Sequence, residues 1–269
     1  MSLRHQYVLH SNLALSALHL LSSNPHRSEL VEAATSHQYA ALRLVQPLIT
    51  SPSPENTDAL MIFSAVTSIF SMAEPSYISA GHGLQRDVID DLINAFQLNR
   101  GIDCILVMKW PDVKENGVPD MGPILENEDV LRDDLGEHFP HLHATMTALA
   151  ALCVDDELVS CQEAIRRTFL YIRAIEVKPE VGYSRLLIQQ WPHSLSKTFM
   201  EMLTARHSAA LVVLGYYAAL ISMRSDTWWL CKWPTLIIDK VVALLGPKWS
   251  ELLAWPRQRI VESERLYKE

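Results

Sequence analysis

The sequence predicts an all-α protein, and two observations carry that reading. Apolar residues recur at three- and four-residue steps almost throughout the chain, and no stretch alternates apolar with polar long enough to make a strand. The chain is also broken at intervals by Pro-, Ser- and Gly-containing punctuation between helical stretches. With 269 residues, 49% of them hydrophobic, it is long enough to bury a core without disulfide or metal staples. No linker divides it, so the expectation is one globular domain over 1–269, built from about ten to twelve helices.

The first helix is expected over 5–22. Ser22-Ser23-Asn24-Pro25 ends it, because proline cannot continue the hydrogen-bond ladder. The second begins at Ser28, with Glu32 in its early turns and Tyr39, Leu42, Val45 and Ile49 as its inward stripe. Ser51-Pro52-Ser53-Pro54 is a hard stop. A third helix over 55–73 carries no charge from Ala59 to Ala73, which predicts burial on most faces. The next helix, over 84–98, is expected to break at Arg100-Gly101 before Ile102–Trp110 continues. A polar loop, Lys114–Pro123, and an acidic stretch of short surface helices, Glu126–Glu137, follow. Helices are then predicted over 141–153 and 157–178, the latter with Ile165, Phe169, Ile172 and Ile175 on one face. The remainder fall at 181–190, 194–205, 208–223, 234–246 and 248–254, with a last one after Pro256.

Composition excludes several functions. Lys and Arg number 23 against 31 Asp and Glu, a net charge of −8. That argues against non-specific nucleic-acid binding, which needs clustered cations against phosphate. Cys104, Cys153, Cys161 and Cys231 form no C-x-x-C pair, so neither a zinc ribbon nor a thioredoxin-type site is expected, and the thiols read as reduced, buried and intracellular. The uncharged run His207–Met223 is 17 residues long, short of the roughly 20 that span a bilayer, and reads as a central core helix. Val8–Leu21 is interrupted by His10, Ser11, Asn12 and His19 and reads as an amphipathic helix rather than a signal sequence.

Motifs with chemistry are few. Gly81-His82-Gly83 has Arg86 in place of a third glycine and no preceding strand, so no nucleotide-binding loop is expected. His138, His141 and His143 surround Pro140 and read as a solvated helix start rather than a metal site. Asp87, Asp90 and Asp91 evoke the aspartate-rich helices of terpene cyclases, but no second acidic motif accompanies them and they read as a solvated face. No metal and no cofactor is expected, and no G-x-S-x-G elbow is present.

The densest signal lies in the last third, with six of the seven tryptophans: Trp191, Trp228, Trp229, Trp233, Trp249 and Trp255. Together with Phe199, Tyr216 and Tyr217 they supply a large aromatic surface, either as core or as the wall of an apolar pocket. Four stretches then resemble a known family. They are Leu13-Ala14-Leu15-Ser16-Ala17-Leu18-His19-Leu20; His37-Gln38-Tyr39-Ala40-Ala41-Leu42 followed by Pro47; Leu98-Asn99-Arg100-Gly101-Ile102 running to Trp110; and Trp191-Pro192, then Ala209–Ala218, Trp228-Trp229, Trp233, Trp249 and Trp255-Pro256. In order and spacing they resemble the regulatory C-terminal domain of fungal zinc-cluster transcription factors of the sterol uptake control type.

The resemblance implies an all-helical fold with a central hydrophobic pocket that takes a sterol-like molecule or secondary metabolite, for which Phe63, Phe199, Leu203, Leu214, Tyr217, Trp229 and Trp233 are the candidate lining. It implies a homodimer or pairing with a full-length factor, in the cytoplasm or nucleus. The family's DNA-reading cluster needs six closely spaced cysteines, so this chain is expected not to touch DNA itself. Where the family tends to carry glycine after the Trp-Trp pair, Cys231-Lys232-Trp233-Pro234 stands here. The rival expectation is an enzyme of cyclase or isomerase type acting on a hydrophobic metabolite in such a pocket, with His193, His207, Tyr217 and Asp226 as its candidate acids and bases.

Overall fold

A computed structural model describes residues 5–49, 54–78, 87–107 and 135–266, and all its regular elements there are helical. In order they are α1 (Gln6–Ser23), α2 (Ser28–Ile49), α3 (Pro54–Tyr77), α4 (Val88–Val107), α5 (Pro140–Ala150), α6 (Asp155–Val177), α7 (Val181–Gln190), α8 (Lys197–Thr204), α9 (Ser208–Ser222), α10 (Trp233–Leu245) and α11 (Ala254–Leu266). Short 3₁₀ turns occupy Trp191–Ser194 and Pro247–Trp249. Packing groups the chain into two compact units, one of Met1–Asp87 with Asn94–Met121 and one of Val88–Ile93 with Gly122–Glu269.

Several boundaries differ from expectation. α4 runs through Arg100-Gly101 to Val107 without a break, since one glycine costs a helix only about 1 kcal/mol. α2 contains Pro47 and α3 contains Pro75, each near its helix's C-terminal end. The predicted helix 248–254 is instead a 3₁₀ turn followed by hydrogen-bonded turns, and α11 starts two residues before Pro256. The Lys114–Pro123 loop and Gly81-His82-Gly83 lie outside the described residues. So does the acidic stretch up to Asp134, while residues 135–138 form one helical turn.

In the first unit α1 buries Tyr7, Ser11, Ala14, Leu18 and Leu21, at steps of 4, 3, 4 and 3. That period holds one stripe on one face. α2 answers with Leu30, Ala34, Gln38, Ala41 and Val45. Of the stripe expected on α2, only Val45 is buried, while Tyr39 is 64% exposed and Leu42 and Ile49 are also exposed. Both faces of this helix carry apolar residues, and the alanine face won because it lets α1 approach closely. Tyr7, Val8, Ala41, Val45, Ala59, Leu60 and Phe63 form a common core of α1, α2 and α3, with the Tyr7 and Phe63 rings edge to face at 5.8 Å.

α3 is buried on most faces, as its lack of charge predicts. Among the described residues it is the helix long and apolar enough to cross a membrane, but 56% of its most apolar window is buried within the protein. It also buries Thr57, Ser64, Thr67 and Ser68, a pattern of a core helix rather than a lipid-facing one.

The second unit is built around α9. Every residue from Ala209 to Ser222 is buried, with α6, α8, α10 and α11 packed against the helix. A helix hydrophobic all round has only an interior to occupy. Gly215 allows the closest approach, since a Cβ there would meet Leu253 Cδ2 at 2.9 Å and Ile238 Cδ1 at 3.5 Å. α6 buries the predicted face of Ile165, Phe169, Ile172 and Ile175, and Cys161, Ala164 and Thr168 beside it. Its first turn carries Asp155, Asp156 and Glu157, the sign that a helix N-terminus favours. Ser196 caps α8 by accepting from the Phe199 N–H at 3.0 Å.

Candidate functional site

Two aromatic clusters flank α9, anchored by the adjacent residues Tyr216 and Tyr217. Tyr217 stacks on Trp191 with ring centroids 4.0 Å apart and planes 14° from parallel, and Phe199 meets Trp191 edge-on at 6.1 Å. Both polar ends are satisfied, as burial demands. Trp191 Nε1 donates to Thr168 Oγ1 at 2.8 Å and to the Ala164 carbonyl at 3.3 Å, while the Tyr217 hydroxyl donates to the Ile188 carbonyl at 3.2 Å. Burial pushes the Tyr217 phenol far above its ordinary range.

Tyr216 anchors the other cluster. Trp255 lies parallel to it at 5.7 Å and stacks on His141 at 4.6 Å, and Phe169 packs against Trp255 at 5.4 Å and Phe139 at 4.8 Å. The Tyr216 hydroxyl donates to the Leu252 carbonyl at 2.9 Å and lies 2.9 Å from Thr145 Oγ1, which also donates to the His141 carbonyl. His141 Nε2 is buried with no hydrogen-bond partner, and burial lowers the pKa of this imidazole. At the margin Glu176 pairs with His138 Nε2 at 2.9 Å and Arg259 at 3.1 Å.

The candidate lining residues divide between the units. Phe63 belongs to the core of the first. Phe199, Leu203, Leu214, Tyr217, Trp229 and Trp233 are all buried in the second, and among them Phe199 and Tyr217 are joined through Trp191. Pro234 sits in the first turn of α10, where a missing N–H costs nothing. Of the candidate acids and bases, Tyr217 is committed to Ile188. His207 precedes α9, with its Nδ1 buried and unpartnered. Asp226 is exposed, 3.6 Å from Arg224 Nη1, and His193 lies in the 3₁₀ turn after α7.

The histidine motif departs from its reading as a solvated helix start. His138 is exposed, but His141 is drawn into the aromatic cage. The missed signal was the stripe Leu142, Thr145, Leu149, buried at steps of 3 and 4 on the face next to His141. Asp90 forms an ion pair with Arg206 at 2.6 Å. Among the described residues no three His, Cys, Asp or Glu side chains are grouped to hold a metal.

An all-helical chain with its aromatic residues concentrated around one buried helix belongs to a broad class, and comparison with known proteins narrows it. The chain is similar to a Zn(2)-C6 fungal-type transcription factor of Gibberella zeae, at 24% identity over 267 residues, covering 93% of this chain and 52% of that protein. It is similar at 24% identity over 248 residues to Sterol uptake control protein 2 of Saccharomyces cerevisiae, covering 83% of this chain and 24% of that protein. The chain thus spans about half the length of one curated relative and about a quarter of the other. No family model and no solved structure matches it.

Proposed function

We propose that this chain is a regulatory domain of transcription-factor type that binds a hydrophobic small molecule, sterol-like or a secondary metabolite, and acts through partner proteins inside the cell. The observation that carries the reading is similarity to fungal transcription regulators over 93% and 83% of the chain. The aromatic interior around α9 supports the ligand class. Rings and aliphatic side chains on Phe199, Leu203, Leu214, Tyr217, Trp229 and Trp233 recognise apolar surface, each buried Å² contributing about 25 cal/mol. A ligand entering there works by population shift. It favours whichever packing of α9 against α6 and α10 opens between the rings, and a second copy or a full-length factor reads that packing from outside.

The test pairs two readouts. The purified chain is screened against sterols and other lipids by thermal shift and native mass spectrometry. The same chain, fused to a heterologous DNA-binding domain, drives a reporter in yeast. The expected result is one ligand class that raises the melting temperature and changes reporter output. No ligand bound and no reporter response across the panel would overturn the proposal.

A further inference from the structure

Three sulfurs lie in a row of contacts in the interior of the second unit. Cys153 lies in the connection between α5 and α6, Cys161 in the second turn of α6, and Met202 in α8. The Cys153 thiol donates to Cys161 Sγ at 4.0 Å, and the Cys161 thiol donates to Met202 Sδ, also at 4.0 Å. Both cysteines are free, and Cys153, Cys161 and Met202 are 6%, 0% and 5% exposed.

We propose that Cys153, Cys161 and Met202 form a binding site for one Cu(I) ion. A metal–thiolate bond of about 2.3 Å places two sulfurs about 4.0 Å apart at trigonal angles and about 3.8 Å apart at tetrahedral ones. Cys161 stands at the trigonal separation from both neighbours. Two thiols and a thioether are a soft donor set, which selects Cu(I) over Mg²⁺, Ca²⁺ or Mn²⁺. Three ligands suffice for Cu(I), so a dry interior need supply no water.

Binding needs no oxidant or reductant. The ion enters as Cu⁺, both thiols release their protons to solvent as they bind, and the Met202 thioether completes the coordination. The site then carries one net negative charge, shared among the metal and its sulfurs and so less costly than a lone buried thiolate.

The start of α6 borders the three sulfurs. Cys153 lies at the margin of the interior, and Asp155, two residues on, holds φ at +41°, a left-handed conformation uncommon outside glycine. Val154, the N-cap of α6, makes no side-chain cap hydrogen bond, while its carbonyl accepts from the Glu157 and Leu158 N–H groups. Burial, with a smaller contribution from the Glu157 charge, pushes both thiols up. Once bound, the ion ties the α5–α6 connection to α6 and α8.

The experiment uses the full chain in a C104S/C231S background, titrated anaerobically with Cu(I) bicinchoninate. The expected result is withdrawal of one equivalent of copper, with thiolate-to-copper absorption in the near ultraviolet. C161S should weaken affinity by at least ~100-fold and the volume-conserving Met202→Leu by about tenfold, scales at or above the loss of a supporting group. Far-UV circular dichroism checks the fold of each variant, and C153S at the margin replaces C161S if the latter does not fold. The proposal fails if the parent withdraws no copper, if affinity survives loss of the tested cysteine, if a folded Met202→Leu binds as tightly as the parent, or if Zn²⁺ displaces the copper.

Discussion

The two units differ in the apolar residues at their helix contacts. In the first, alanines face inward (Ala14 on α1, Ala34 and Ala41 on α2) beside a few rings, Tyr7, Phe63 and Phe96 among them, while Tyr39, Leu20 and Leu42 stand exposed. In the second, the largest rings are inside: Trp191, Trp233, Tyr216, Tyr217, Phe169 and Phe199 are each less than 2% exposed. Small residues at a helix contact let backbones approach. Around α9 stacked rings fill the space between the helices, so that side-chain shape contributes much of what holds the second unit together.

The contrast is broken most directly at Trp191. Trp191→Ala removes the ring stacked on Tyr217 and leaves Thr168 without its indole partner. It should destabilise the second unit by about 3–5 kcal/mol in urea denaturation. Gly215→Val adds bulk where a single Cβ already meets Leu253 at 2.9 Å, and an overpacked site of this kind costs about 1–3 kcal/mol. A drop in melting temperature should accompany it.

His141 gives the contrast a pH axis. Burial in the aromatic cage holds its folded pKa below the ordinary 6.5. Above the unfolded value both states are neutral and the stability is fully present. As pH falls through that value the unfolded chain takes up the proton first, so stability is lost on acidification. Melting temperature followed by calorimetry from about pH 8 to pH 5 should fall more in the parent than in His141→Gln. A smaller effect is expected at Gly246, which closes α10 at φ +78°. Gly246→Ala should cost about 1 kcal/mol, the penalty of a left-handed residue with a Cβ. Tyr39→Ala in the first unit should change stability by no more than about 0.5 kcal/mol, as an exposed position does. A large loss there would erase the difference between the units.

The legible parts of the sequence were those with a single physical solution. α9 has no polar face to present, so its place at the centre followed from its composition. The face of α6 was equally plain, because arginines occupy the far side. α2 was misread because both of its faces are apolar, and periodicity cannot say which one a neighbour will cover. The continuity of α4 through Gly101 was missed because a glycine signals a break more strongly than it enforces one. At the candidate site the individual rings were evident from the sequence. Their pairing was not, since Trp191 with Tyr217 and His141 with Trp255 join positions 26 and 114 apart in the chain.

The sequence by itself determined that the chain is helical, where most of its helices start and stop, and that its last third is rich in buried aromatic residues. Those follow from local periodicity, capping and proline, which act over a few residues. The tertiary structure alone decided which face of α2 turns inward, that His141 enters an aromatic cage, and that Cys153, Cys161 and Met202 come into a row of contacts. These depend on which helices become neighbours, and that choice is made by the fit of whole surfaces that no short stretch of sequence contains.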